Sequence, residues 1–112
     1  MASFRASAAV SAAHPGVDPQ QVLEVARLAV SAGWIVEDSF VDVEPLAHRT
    51  GPPRVVVRFV VPTGNDPEED AAAWSAAETM AAALGQVATW SDLAVLRRSG
   101  NRWTRVQQLS AG

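Results

Sequence analysis

The sequence predicts an α+β domain in which two helices cover one side of an antiparallel sheet. Three observations carry the prediction. Extended and helical segments run in the order strand, helix, strand, strand, helix, strand, with one more strand at the end. Two helix starts share an Asp-Pro opening, at Asp18-Pro19 and Asp66-Pro67. The extended segments place apolar residues at every second position. The 112 residues, 48% hydrophobic and 19% charged, suit a single domain over 1–112 and leave no room for a second core.

Phe4, Ala6, Ala8 and Val10 alternate with Ser3, Arg5, Ser7 and Ala9, the period of a strand with one side on a core. After a turn at His14-Pro15-Gly16, Asp18 can accept the free amides of a first helical turn. Pro19 loses no hydrogen bond at the first helical position, and Gln21 completes a capping box. Val22, Val25, Ala26, Ala29 and Val30, with Leu23, form the apolar stripe of this helix, and Gly33 is placed to end it in the left-handed conformation. From Trp34 to Glu44 the chain is extended. There Val36, Asp38 and Phe40 fall in one phase and Val41 and Val43 in the other, which predicts a bulge near Ser39 or Phe40.

Pro45 to Pro53, with three prolines and Gly51, is a loop. In the next strand, Arg54 to Val61, Val55, Val57, Phe59 and Val61 share one side. Arg54, Val56, Arg58 and Val60 share the other, which is therefore half apolar. Asp66-Pro67-Glu68-Glu69 repeats the capping pattern at the head of a second helix that runs to Leu84 or Gly85. Ala73, Ala77, Met80 and Leu84 form its stripe, with Trp74 and Ala81 at its flank. Trp90 to Arg98 and Arg102 to Gln108 form a terminal hairpin around Ser99-Gly100-Asn101, and Trp34 and Trp90, each after a helix end, are expected to close the core.

These elements assemble into a ferredoxin-like βαββαβ two-layer sandwich with an additional C-terminal β-hairpin strand, and the two halves read as a structural repeat. The competing architecture is a different mixed sheet with both helices on one side. The fold hosts unrelated functions and names none of them.

Composition excludes several kinds of chemistry. With no Cys there is no disulfide framework, thiolate nucleophile or cysteine metal site, a composition expected in a reducing cytoplasm. No signal peptide and no membrane span is read from the apolar runs. All nine basic residues are Arg, so Schiff-base chemistry by Lys is absent too. The net charge of −3 is unevenly spread: residues 1–92 hold five Arg and all twelve acids, whereas residues 93–112 hold four Arg and no acid. An acidic body therefore carries a basic tail end.

Few residues carry candidate chemistry. His14 and His48 titrate near neutrality but lie 34 positions apart in two loops, without metal-ligand spacing, and also read as ordinary loop residues. Asp38 and Asp92, set among apolar strand neighbours, are the candidate carboxylates for acid–base work. A strand Asp of this kind also reads as solvent-facing. Thr63-Gly64-Asn65-Asp66 precedes a helix, but Asp66, Glu68, Glu69 and Asp70 would repel a phosphate there, so it reads as a cap. No cofactor and no metal site is expected.

The most site-like feature is the terminal hairpin, where Arg97, Arg98, Arg102 and Arg105 surround Trp103. Edge protection by charge is its plainer reading. Val56 and Val60, continued by Ala94 and Leu96, are expected to form an apolar patch that a monomer leaves wet. The acids at Glu37, Asp38, Asp42 and Glu44, and those at Asp66 to Asp70, are suitable counterparts for the arginines in a contact between copies. The function expected is thus a non-enzymatic protein-interaction or assembly subunit that self-associates through its sheet face or basic hairpin, its partner being itself or an acidic protein surface. Two alternatives stand beside it. One is a small cofactor-independent enzyme with a cleft between sheet and helices or in a dimeric barrel. The other is single-stranded nucleic-acid binding through Trp103 and the arginines, against which the acidic body argues.

Overall fold

The computed structural model describes residues 2–43, 51–62 and 64–109. Its elements are β1 (Ala2–Ala13), α1 (Pro19–Ser31), β2 (Ile35–Asp42), β3 (Arg54–Val61), α2 (Asp66–Leu84), β4 (Ala88–Ser99) and β5 (Arg102–Leu109). The five strands form one antiparallel sheet in the order β2-β3-β1-β4-β5. With two helices packed on it, the arrangement is consistent with a two-layer α+β sandwich.

Alternation decides which side of the sheet meets the helices. Phe4, Ala6 and Ala8 of β1 lie opposite Phe59, Val57 and Val55 of β3, and Ala6 lies opposite Val95 of β4. These residues form one buried cluster with Val22, Ala26 and Val30 of α1 and Ala73, Ala77, Met80 and Leu84 of α2. Alanine at so many of these positions keeps side chains short where helix meets strand. The larger rings fill the remaining space: Phe4 stacks on Phe59 at 6.1 Å, and Trp34 meets Phe59 edge-on at 6.4 Å. Trp34, Trp74 and Trp90 all pack against this core. Among the described residues, no helix is long and apolar enough to cross a membrane.

Local signals place most boundaries, with three corrections. Asp18 caps α1 as expected, its carboxylate accepting from the Gln20 amide at 2.8 Å while the Gln21 side chain accepts from the Asp18 amide at 2.9 Å. In α2 the cap is Asn65 instead of Asp66: its side chain accepts from the Glu68 amide at 2.9 Å, and Asp66 joins the first turn, where its charge favours the helix dipole. Gly33 is not left-handed, because α1 closes through right-handed Ala32, whose amide reaches the Leu28 carbonyl. Positive φ falls instead at Gly16 and Gly100, the latter opening the two-residue loop between β4 and β5, where a turn that follows strand twist requires it. The irregularity of β2 lies between Val36 and Asp38, not at Ser39 or Phe40, so Glu37 and Asp38 both stand near Arg58. His48, Glu44 and most of the Pro45–Pro53 loop, like Thr63, lie outside the described residues.

Candidate functional site

The side of the sheet turned away from the helices collects what the terminal hairpin alone does not. In register, Arg5 lies between Arg58 of β3 and Leu96 of β4, and Leu96 lies opposite Arg105 of β5. Arg98 pairs with Trp103 on the same side, and Phe40 of β2 stands opposite Val56. Arg54 completes the basic group. It donates from Nε to the Ser7 hydroxyl at 2.6 Å and from Nη2 to the Ser7 carbonyl at 3.1 Å. Five arginines thus share this side with Glu37, Asp38 and Asp42, and all three acids come from β2. The basic strip occupies the middle and the β5 edge, the acids the β2 edge.

Strand pairing, more than the hairpin, surrounds Trp103. The Arg5 guanidinium lies 4.1 Å from the centre of its ring, and that of Arg58 lies 5.4 Å from it. Phe40 faces Arg5 from the other flank at 5.3 Å. The expected ring of Arg97, Arg98, Arg102 and Arg105 around Trp103 is divided by alternation: Arg98 and Arg105 share its side, while Arg97 turns toward α2 and Arg102 falls in the phase of Arg97's neighbour Thr104.

Arg97 is held internally. Its guanidinium meets Asp70 at 2.7 Å, Glu69 at 3.1 Å and Asp66 at 3.8 Å, and lies 4.7 Å from the Phe4 ring. Burial opposes its charge, but the hydrogen bonds to Asp70 and Glu69 outweigh burial and hold its pKa above the ordinary value. The acids of the second capping region, expected to meet arginines of another copy, therefore serve this one from the same chain.

Val56 and Val60 do not form an exposed patch; they are only 4% and 8% exposed. Val56 lies between Arg54 and Arg58 along its strand and between Phe40 and Ser7 across it, so long side chains cover its apolar surface. Ala94 is buried as well, and Leu96 is half-buried.

Arg5 has a different environment from every neighbouring guanidinium described. Arg58 is paired with Glu37 at 3.1 Å, the same carboxylate oxygen accepting from Ser3 at 2.8 Å. Among the described residues Arg5 forms no ion pair, and its buried Nε has no hydrogen-bond partner. Burial first, then the Arg58 charge beside it, hold its pKa below the ordinary value, with Asp42 and Asp38 acting in the other sense. A shallow cavity of ≈ 250 Å³ opens next to it, lined by Ser7, Asp42, Arg54, Val56, Leu96 and Arg105.

The remaining candidates are dispersed. His14 sits in the turn after β1, where its backbone amide donates to the Val87 carbonyl at 2.8 Å. Asp38 accepts from the following Ser39 amide at 2.8 Å. Asp92 occupies an irregularity of β4 at φ 52°, a conformation Asp tolerates better than most residues, and its carbonyl accepts from Arg54 at 2.5 Å. Asp92 and Asp42 also line a second recess of ≈ 220 Å³ beside Arg54. Among the described residues, no group of three or more His, Asp or Glu is gathered in a way that could hold a metal ion. The space between sheet and helices is filled by Phe4, Phe59, Met80 and Leu84, all fully buried. Comparison with protein-family models, curated proteins and solved structures finds no match for this chain.

Proposed function

We propose that the protein is a non-enzymatic assembly subunit that self-associates through the side of its sheet away from the helices. The carrying observation is the charge division of that side: mostly basic from β3 through β5, where Asp92 of β4 lies beside Arg54, and acidic along β2. A twofold axis parallel to the strands lays the β2 edge of one copy over the β4–β5 strip of the other. An axis across the strands would lay acid on acid, so charge favours the first geometry. Trp103 and Phe40 supply the aromatic area that such contacts use.

The strand order β2-β3-β1-β4 supports reading the architecture as ferredoxin-like, with β5 added beyond β4. The basic hairpin is the weaker route to association, because Arg97 is already neutralised within the chain. Taken over the eight-residue length of β2, β3 and β5, strand rise and spacing give the five strands a face of roughly 600 Å² per copy, at the low end for a specific interface. Assembly should therefore depend on concentration. Sedimentation equilibrium is expected to show a dimer that weakens as salt is raised and is abolished by Trp103→Glu. A monomer at every concentration and salt would remove the proposal.

A further inference from the structure

We propose that the cavity beside Arg5 is a binding site for a small carboxylate with a short apolar body. The inference goes beyond self-association and does not depend on it, since every residue used belongs to one copy.

The argument begins with a group that lacks what its neighbours have. A guanidinium partly withdrawn from water favours acceptors for its covered donors and a counter-charge, and Arg97, Arg58 and Arg54 each find acceptors within the chain. The rings of Trp103 and Phe40 stabilise the Arg5 charge through their faces, but a ring face beside the carbon of the guanidinium does not accept from Nε in the plane. Planar, two-point acceptance by a carboxylate is the arrangement that matches this fork.

The cavity has the right character on both counts. Arg5 and Arg105 line it with the Ser7 hydroxyl and Arg54, and Asp42 is the one carboxylate among its described lining residues, so the described lining is more basic than acidic. Val56, Ala94 and Leu96 give it an apolar floor. Its volume of ≈ 250 Å³ admits a compact molecule and is below the size usual for larger cofactors. A fully hydrated anion such as phosphate would satisfy Arg5 but leave that floor unused.

Benzoate, benzamide and inorganic phosphate are suitable probes, titrated against the full chain while the Arg5 Nε–H and Trp103 indole signals are followed by NMR. Benzoate is expected to bind saturably, to shift both signals and to slow exchange of the Arg5 Nε–H. Benzamide should bind about 10-fold or more weakly, because it offers no charged fork. Phosphate binding tighter than benzoate would overturn the carboxylate assignment. Arg5→Met is expected to abolish benzoate binding, and Arg5→Lys, which keeps the charge but not the fork, to weaken it about 10-fold; Arg102→Met should leave it unchanged. Equal binding of benzoate by wild type and either Arg5 variant would overturn the site. Mass measured on the same samples reports assembly separately, so loss of one proposal leaves the other readable.

Discussion

Arg97 leaves β4 on the side of the helices and Arg5 leaves β1 on the other, one cross-strand position apart, and each guanidinium lies over an aromatic ring, Phe4 at 4.7 Å or Trp103 at 4.1 Å. Their counter-charges differ. The start of α2 brings Asp66, Glu69 and Asp70 to Arg97, whereas no described carboxylate comes within ion-pair distance of Arg5. The helix layer explains the difference. It supplies both the apolar surface that buries one side of the sheet and the acids that neutralise the cation projecting into it. On the other side only strand residues are at hand, and their acids, three on β2 and Asp92 of β4 beside Arg54, form no ion pair with Arg5. Charge on the helix side is therefore satisfied within the chain, while on the far side Arg58 finds Glu37 and Arg5 is left to aromatic faces.

The largest effect should separate the two sides through their phenylalanines. Phe59 is fully buried between Phe4 and Trp34, and Phe59→Ala is expected to destabilise the fold by about 3–5 kcal/mol. Phe40→Ala, which removes a half-buried ring from the far side, should cost about 1 kcal/mol. Urea denaturation of both variants measures the gap. Similar losses would show that the far side carries as much of the core as the helix side does.

A smaller effect is expected at Arg97. Arg97→Met strands Glu69, whose side chain is only 8% exposed, without its cation, and should cost about 2–3 kcal/mol; Arg97 keeps 20% of its own side-chain surface in water, which reduces the loss below that of a fully buried pair. Adding Glu69→Gln should restore part of it, since the orphaned charge is then removed. A double variant no more stable than the single one would show that packing on Phe4, and not the ion pair, is what Arg97 provides.

This asymmetry was only partly readable in the residues. Period-two alternation gave the phase of Arg5 and Arg58, and the extent of β3, Arg54–Val61, is the one expected. The Asp18 cap was equally readable because all its partners lie within three positions. The cluster itself depends on register across 53 positions, from Arg5 to Arg58, and on β5 being placed beyond β4. No local pattern fixes that. The same limit hides the partner of Arg97, a sequence neighbour of Trp103 from which alternation separates it, because the head of α2 that holds it lies 27 positions earlier. Val56 is buried against expectation because side chains of its own strand and of β2 cover it. A valine between two arginines is shielded by their stems, an effect that residue type alone conceals.

The smallest change in stability is expected where the chemistry is most unusual. Arg5→Met keeps an unbranched side chain against Trp103, gives a sulfur–ring contact in place of the cation, and removes the like charge beside Arg58. It forfeits the cation–ring attraction, about 0.5–2 kcal/mol, but also relieves the desolvation of a charge and of an Nε–H without an acceptor. These contributions oppose one another, so stability should change by less than about 1 kcal/mol, in contrast with Arg97→Met on the next strand. Thermal and urea unfolding of the two methionine variants side by side make the test. A loss at Arg5 as large as that at Arg97 would mean that the aromatic faces satisfy its charge as fully as three carboxylates do, and the two sides of the sheet would then differ in means and not in what they leave unsatisfied.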